Sequence, residues 1–414
     1  MRTLLLLLLP SSLLAANWPA WRGPTGDGVT TETNLPLQWS TTEGIKWKVP
    51  LPERGNSSPI VWGDKVFLTQ SVGPRRTVLC LDRQDGKTLW QAGPEWTAKE
   101  TTHETNPFCS GSPVTDGERV VAWFGSAGLW CWDLSGKELW HADLGKQEHI
   151  WGYGSSPVLY GDLCLLNFSP GKKSFLVAVD KKTGKEVWRF DVPAPAVAEG
   201  PGDPSKDFVG SWNTGHVVKI GGREEFLISL PGAVWSLDPK SGKALWHCDG
   251  LNPLSYAETL VGDGAIAGFG GFGGYSIGIK PGGTGDVTAT HRLWQEKKNP
   301  QRIGSGVVVG PNAFLTSEPG VIQCVELASG KQLWKERLNV PGGRASSWSS
   351  LVLSGDRIYA VTQGADVVVF KASPEKYEQL AVNSLGDGLT NSSLAVSDGQ
   401  LFLRTHQHLW CIGK

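Results

Sequence analysis

The stretch VDKKTGKEVWRF, residues 179–190, reads alone as an ordinary hairpin: a short apolar strand, an acidic residue, a turn at Gly184 and a strand carrying Trp188. The same pattern returns as CLDRQDGKTLW from Cys80, CWDLSGKELW from Cys131, SLDPKSGKALW from Ser236 and CVELASGKQLW from Cys324. Repetition at a period of roughly 40 to 50 residues is the mark of a solenoid or a propeller, and the unit decides between them. Each unit opens on a small polar cluster and an apolar run, as in SSPIVWGDKVFLT from Ser57 and SSPVLYGDLCLLNF from Ser155. A Gly-Asp or Asp-Gly turn splits that run into two strands. The strand ending at the acid is the third, and the tryptophan strand is the fourth. Four antiparallel strands per unit make a propeller blade.

Blades begin near Ser57, Gly111, Ser155, Ser211, Tyr256, Gly304, Ser347 and Ser392, which predicts an all-β, eight-bladed β-propeller over 45–414. The last blade runs out of chain after three strands, and IKWKVPL from Ile45 stands unpaired at the front. Pairing this early strand with the C-terminal blade would close the ring and remove two exposed sheet edges. Trp47, Trp90, Trp140, Trp188, Trp246, Trp294 and Trp334 are then structural docking residues, each ring lying across a gap between blades. Burial of an area on the order of 200 Å² at each junction contributes several kcal/mol. The small residue two places before the acid, Cys80, Cys131, Ala178, Ser236 or Cys324, is the expected partner across the gap. The acids themselves, Asp82, Asp133, Asp180, Asp238 and Glu326, are read as turn-capping acceptors and not as a carboxylate cluster.

Composition agrees with this reading. The 414 residues include 53 Gly, 26 Pro and 20 Trp but one Met, which favours short strands and tight turns. A net charge of −1 with interspersed acids and bases provides no footprint for nucleic acid or a polybasic membrane patch. Arg2, the apolar run Leu4 to Leu9, and small residues at Ala15 and Ala16 predict a signal peptide over 1–16, hence an exported, periplasmic or extracellular chain. Residues 17–44 then form an N-terminal extension. No later apolar stretch is long enough to span a bilayer. Cysteines at equivalent repeat positions should lie beyond disulfide reach, leaving pairing open only among Cys109, Cys164 and Cys248.

The segment Ala178 to Trp188 resembles the tryptophan-docking repeat of pyrroloquinoline-quinone-type propellers, and NWPAWRGPTGDGV from Asn17 resembles the leader of a group of exported bacterial propellers. The resemblance implies either a quinoprotein dehydrogenase of alcohols or sugars or a non-catalytic envelope scaffold. For the first it implies pyrroloquinoline quinone with calcium and an adjacent-cysteine disulfide, and no Cys-Cys pair occurs in this chain. The expectation is therefore a monomeric scaffold or binding module for an envelope protein or a saccharide, with no catalytic residues, metal or cofactor assigned. The quinone dehydrogenase is the alternative.

Links between outer and next inner strands gather on one face, where loops on a rigid frame carry function. They hold Trp151, Trp212, Tyr256 and Trp348 with Glu104, Glu258, Arg302 and Arg344, an aromatic and charged rim suited to a planar, anionic or carbohydrate ligand or a peptide edge. The same residues could simply plug the central channel. Other matches carry little: Gly268-x-Gly270-x-x-Gly273 precedes strand-like YSIGIK and lacks a helix N-terminus, Gly274 to Gly278 lacks the strand-to-helix elbow, and His406-x-His408 lacks a third ligand.

Overall fold

The computed structural model describes residues 16–171, 173–195, 209–298, 300–341 and 343–413; the expected signal segment lies outside them except for Ala16. The first blade consists of strands Ile60–Trp62, Lys65–Val72, Arg75–Asp82 and Thr88–Ala92, paired in that order. Successive blades span 114–142, 158–191, 216–249, 260–296, 307–337 and 352–384. Strands from 395 to 412 and the early strand Ile45–Pro50 form the eighth. The protein is thus an all-β propeller of eight mainly four-stranded antiparallel blades. Among the described residues the one α-helix is Thr288–His291.

Ring closure takes place by antiparallel pairing of Ile45–Pro50 with His408–Ile412, which sets Trp47 opposite Cys411. Two blades gain a fifth strand: Val29–Thr30 adds in parallel to Val352–Ser354, and Gly285–Asp286 to Ala244–Asp249.

The tryptophans dock across blade gaps, but onto a different partner from the one expected. Cys80, Cys131, Ala178 and Cys324 pair with Trp90, Trp140, Trp188 and Trp334 inside the same sheet. Across the gap the rings of Trp47, Trp90, Trp140, Trp188 and Trp294 meet the turn glycine of the next blade. A Cβ on Gly86 would lie 2.8 Å from Trp47 Cε3, on Gly184 2.5 Å from Trp140 Cε3, and on Gly242 2.5 Å from Trp188 Cε3. The indole N–H donates to the carbonyl one residue past the turn acid: Trp47 to Arg83 at 2.8 Å, Trp90 to Leu134 at 3.0 Å, Trp140 to Lys181 at 2.9 Å, Trp188 to Pro239 at 3.1 Å and Trp294 to Leu327 at 2.8 Å. Glycine is needed twice here, for a φ of +72° at Gly184 and for the room its missing Cβ leaves to the ring. The turn acids cap locally: Asp180 Oδ1 accepts from the Thr183 hydroxyl at 2.8 Å and from the N–H groups of Thr183 at 2.8 Å and Lys182 at 3.1 Å, and these bonds, the hydroxyl's first, hold its carboxyl below the usual range.

Inner strands are joined by a girdle of hydroxyls, for which the small polar cluster opening each blade is the source. Ser58 N donates to Ser112 Oγ, Ser112 N to Ser156 Oγ and Ser156 N to Thr214 Oγ1, at 2.9, 2.9 and 3.1 Å. It resumes from Glu258 N to Ser305 Oγ, Ser305 N to Ser350 Oγ, Ser350 N to Ser393 Oγ and Ser393 N to Ser58 Oγ, at 2.9, 3.0, 2.9 and 2.9 Å. The fifth blade departs from the pattern by carrying Glu258 in the place of the hydroxyl.

The N-terminal extension crosses the ring. Trp18 pairs with Val61, and the Pro19 carbonyl accepts from Thr115 N at 2.9 Å. Arg22 Nη2 donates to the Gly306 carbonyl at 2.7 Å on the far side. Leu35 and Trp39 are buried in the core shared by the seventh and eighth blades, where the outer strand Gln379–Ser384 has no tryptophan of its own. All seven cysteines are buried and unpaired, including Cys109, Cys164 and Cys248, and burial pushes the Cys80 and Cys109 thiols up to about 12.

Candidate functional site: an aromatic funnel on the axis

The inner strands surround a cavity of about 380 Å³. Ser58, Ser112, Ser156, Thr214, Ser350 and Ser393 of the girdle line it, and Trp21 of the crossing extension reaches it as well. Side walls come from the links between blades and, for Phe272, from the loop between strands Ala265–Phe269 and Ser276–Ile279 of the fifth blade. On one side stand Trp151, Trp212, Tyr256 and Phe272, with Trp348 contributed by the seventh blade. Trp212 has its ring centre 5.9 Å from Trp151 and meets Tyr256 edge to face at 5.1 Å. The Trp212 indole N–H donates to the Gly152 carbonyl at 3.0 Å and that of Trp348 to Glu318 Oε1 at 2.7 Å, which fixes both rings. Amides complete the wall: Asn56, Asn106, Gln301 and Asn391, with His103 beside them. Asn106 Nδ2 donates to the carbonyls of Trp151 at 2.6 Å and Tyr153 at 2.9 Å, so it braces the aromatic link from the first wall.

Of the eight rim residues expected from the sequence, Trp151, Trp212, Tyr256 and Trp348 are brought together on this cavity and the four charged ones are not. Glu258 is 1 % exposed and pairs through Oε2 with His216 Nδ1 at 2.8 Å. Arg302 is 3 % exposed and packs over the Phe269 ring at 5.5 Å, and burial lowers its guanidinium to about 10. Glu104 and Arg344 are exposed and are not among the lining residues. No Asp, Glu, Lys or Arg lines the cavity among the described residues, and burial holds the Tyr256 phenol well above its usual range. The imidazole of His103 is the one basic side chain on the described lining.

Sequence reading missed Trp21, Phe272, the amides and the girdle. Serine pairs opening the blades were the available signal for the girdle; the asparagines had none, because isolated link amides do not repeat. His408 is held by Asp387 at 2.8 Å, and His406 is lowered to about 4, first by burial and then by Arg404 and Arg54. No group of three metal-ligating side chains occurs among the described residues. Gly270 and Gly273 sit in the loop between strands Ala265–Phe269 and Ser276–Ile279, with no helix following.

The family model described as outer membrane protein assembly factor BamB matches residues 29–169, 74–247, 133–290 and 284–407, overlapping spans expected of a repeat. An outer membrane protein assembly factor BamB of Burkholderia pseudomallei is 24 % identical over 58 % of this chain and 68 % of its own length. The quinohemoprotein alcohol dehydrogenase ADH-IIG of Pseudomonas putida is 28 % identical over 39 % of this chain, and the match spans only 22 % of that enzyme. Among solved structures, a quinohemoprotein alcohol dehydrogenase of Comamonas testosteroni superposes with a TM-score of 0.66 at 13 % identity, covering 96 % of this chain and 80 % of that one. BamB of Moraxella catarrhalis gives 0.55 at 13 %, covering 88 % and 98 %. At such identities these structural likenesses speak for the fold. The chain belongs to the outer membrane protein assembly factor BamB family of pyrroloquinoline-quinone-type β-propellers.

Proposed function

We propose that this chain is a non-catalytic binding module of the bacterial envelope, working outside the cytosol and holding an uncharged group of its partner in the axial funnel. The aromatic lining, with no carboxylate, lysine or arginine among its described residues, carries this reading. Rigid concave sites with convergent polar groups hold ligands, and the titratable groups on this lining are His103, whose Nδ1 shares a hydrogen bond with Thr105 Oγ1 at 2.8 Å, and the buried Tyr256 phenol. The names of the relatives that assemble outer membrane proteins support an envelope partner, either a protein segment or a saccharide borne by one.

The rival reading, a quinone-dependent dehydrogenase, asks more of the site than the residues give. Pyrroloquinoline quinone is a multiply carboxylated molecule, and calcium takes six to eight oxygen ligands including carboxylates. The described lining has no carboxylate to hold the cation and no arginine or lysine to receive the acid groups. The residues present do not fit the quinone with its metal. Purified protein should therefore show neither stoichiometric uptake of pyrroloquinoline quinone with calcium in its absorption spectrum nor dye-linked oxidation of alcohols or sugars. Uptake with turnover would overturn the binding-module reading.

A further inference from the structure

We infer that the funnel ligand is a neutral saccharide of one or two rings; this assignment rests on the binding-module reading and gives its ligand a chemical class. Three features of the cavity converge on it. The first is the aromatic faces. With their N–H edges tied back to Gly152 and Glu318, Trp212 and Trp348 cannot use those groups on a ligand, and what they offer is ring surface. The electron-rich face of an indole attracts weakly positive C–H groups, and the axial C–H face of a pyranose presents several at once.

The hydroxyl girdle is the second. The six lining hydroxyls are 2 % to 5 % exposed, and each side-chain oxygen accepts a backbone N–H from the preceding blade. None of their six O–H hydrogens has a protein acceptor among the described residues. A donor left without an acceptor when ligand displaces water costs about 1–3 kcal/mol. A hydrocarbon or an aromatic side chain would strand these donors, whereas a ligand rich in hydroxyl and ether oxygens would receive them.

Charge is the third. An ionised group brought into a lining without a lysine, arginine or carboxylate loses most of its hydration uncompensated, which disfavours phosphates, carboxylates and ammonium groups. An oxygen-rich, uncharged molecule with an apolar face is a neutral sugar, and a volume of 380 Å³, near the lower end for ligand sites, limits its size.

Calorimetry and intrinsic tryptophan fluorescence with maltose, cellobiose and N,N′-diacetylchitobiose test the assignment. At least one should bind saturably at one site, and its uronic acid counterpart should bind at least about tenfold more weakly. Phe272 lines the cavity with half its surface exposed, so Phe272→Ala can be made without unfolding the ring. That variant should melt with the parent and lose roughly tenfold in affinity for the sugar that binds. The proposal is overturned if none of the three sugars gives a saturable signal where millimolar affinity would show, if the uronic acid binds equally well, or if Phe272→Ala binds like the parent. Silence from every sugar without quinone uptake removes the saccharide and leaves the funnel to a protein segment; quinone uptake with turnover removes the binding module itself.

Discussion

Trp188 shows what one docking ring contributes. It is 8 % exposed, lies over Gly242 of the following blade and donates its N–H to the Pro239 carbonyl at 3.1 Å. Apolar burial and one hydrogen bond are separable here. Trp188→Ala should cost about 3–5 kcal/mol of stability, as large-ring truncations in cores do. Trp188→Phe should keep most of the packing and lose about 1 kcal/mol for the bond, though the smaller ring leaves some further gap. Trp348, half-buried on the funnel wall and bonded to Glu318, belongs to the site and not to a blade junction. Trp348→Ala should therefore melt close to the parent while weakening any funnel ligand. Thermal melts that rank these two alanine variants in the reverse order would contradict the division between junction and site.

At the scale of strands and turns, the fifth blade departs from the rule the others follow. It lacks the regular acid-to-glycine turn after its third strand; GIKPGGTGDVTATHRLW from Gly278 supplies instead the short parallel strand Gly285–Asp286 and the single-turn helix. Trp246 consequently has no turn carbonyl facing it, and its indole donates to Glu225 Oε2 at 2.8 Å within its own blade. Glu225, 1 % exposed, also accepts from Ser236 Oγ at 2.6 Å and from Arg223. Glu225→Ala would leave two buried donors without an acceptor, at about 1–3 kcal/mol each, and urea unfolding should show it. Glu225→Gln, which keeps a carbonyl oxygen, should lose less. The blades and Trp47 beside Cys411 were legible because turn chemistry is local and recurs in register. Two readings failed where distance in sequence decides. Cys80 and Ala178, expected across the gap because a residue facing a large ring must be small, face the tryptophan of their own sheet, which only strand register shows. Glu258 and Arg302, expected on the rim from their place in the links, are instead buried, the one paired with His216 and the other over the Phe269 ring, contacts with residues remote in sequence.

Across the whole molecule, one strand and one crossing segment do different things for the ring. Strand Ile45–Pro50 covers the edge of His408–Ile412, while residues 17–39 run beneath the funnel and fill the junction that lacks a docking tryptophan. An open edge beside apolar Trp410 and Cys411 invites pairing with another copy. A chain beginning at Pro52 should thus lose cooperative melting and self-associate on size exclusion. The two contributions can be told apart because the ends of the eighth blade already meet: Gly413 N donates to the Gly44 carbonyl at 2.8 Å. A permuted chain that runs from 52 to 413 and continues through 44 to 51 restores the closing strand as a hairpin without the crossing segment. It should recover a monomeric, cooperative fold, with a melting temperature below the parent because Trp18, Leu35 and Trp39 no longer bury their side chains. If the permuted chain aggregates like the truncated one, closure by the early strand is not sufficient to hold the ring, and the segment beneath the funnel carries the stability assigned here to the edge.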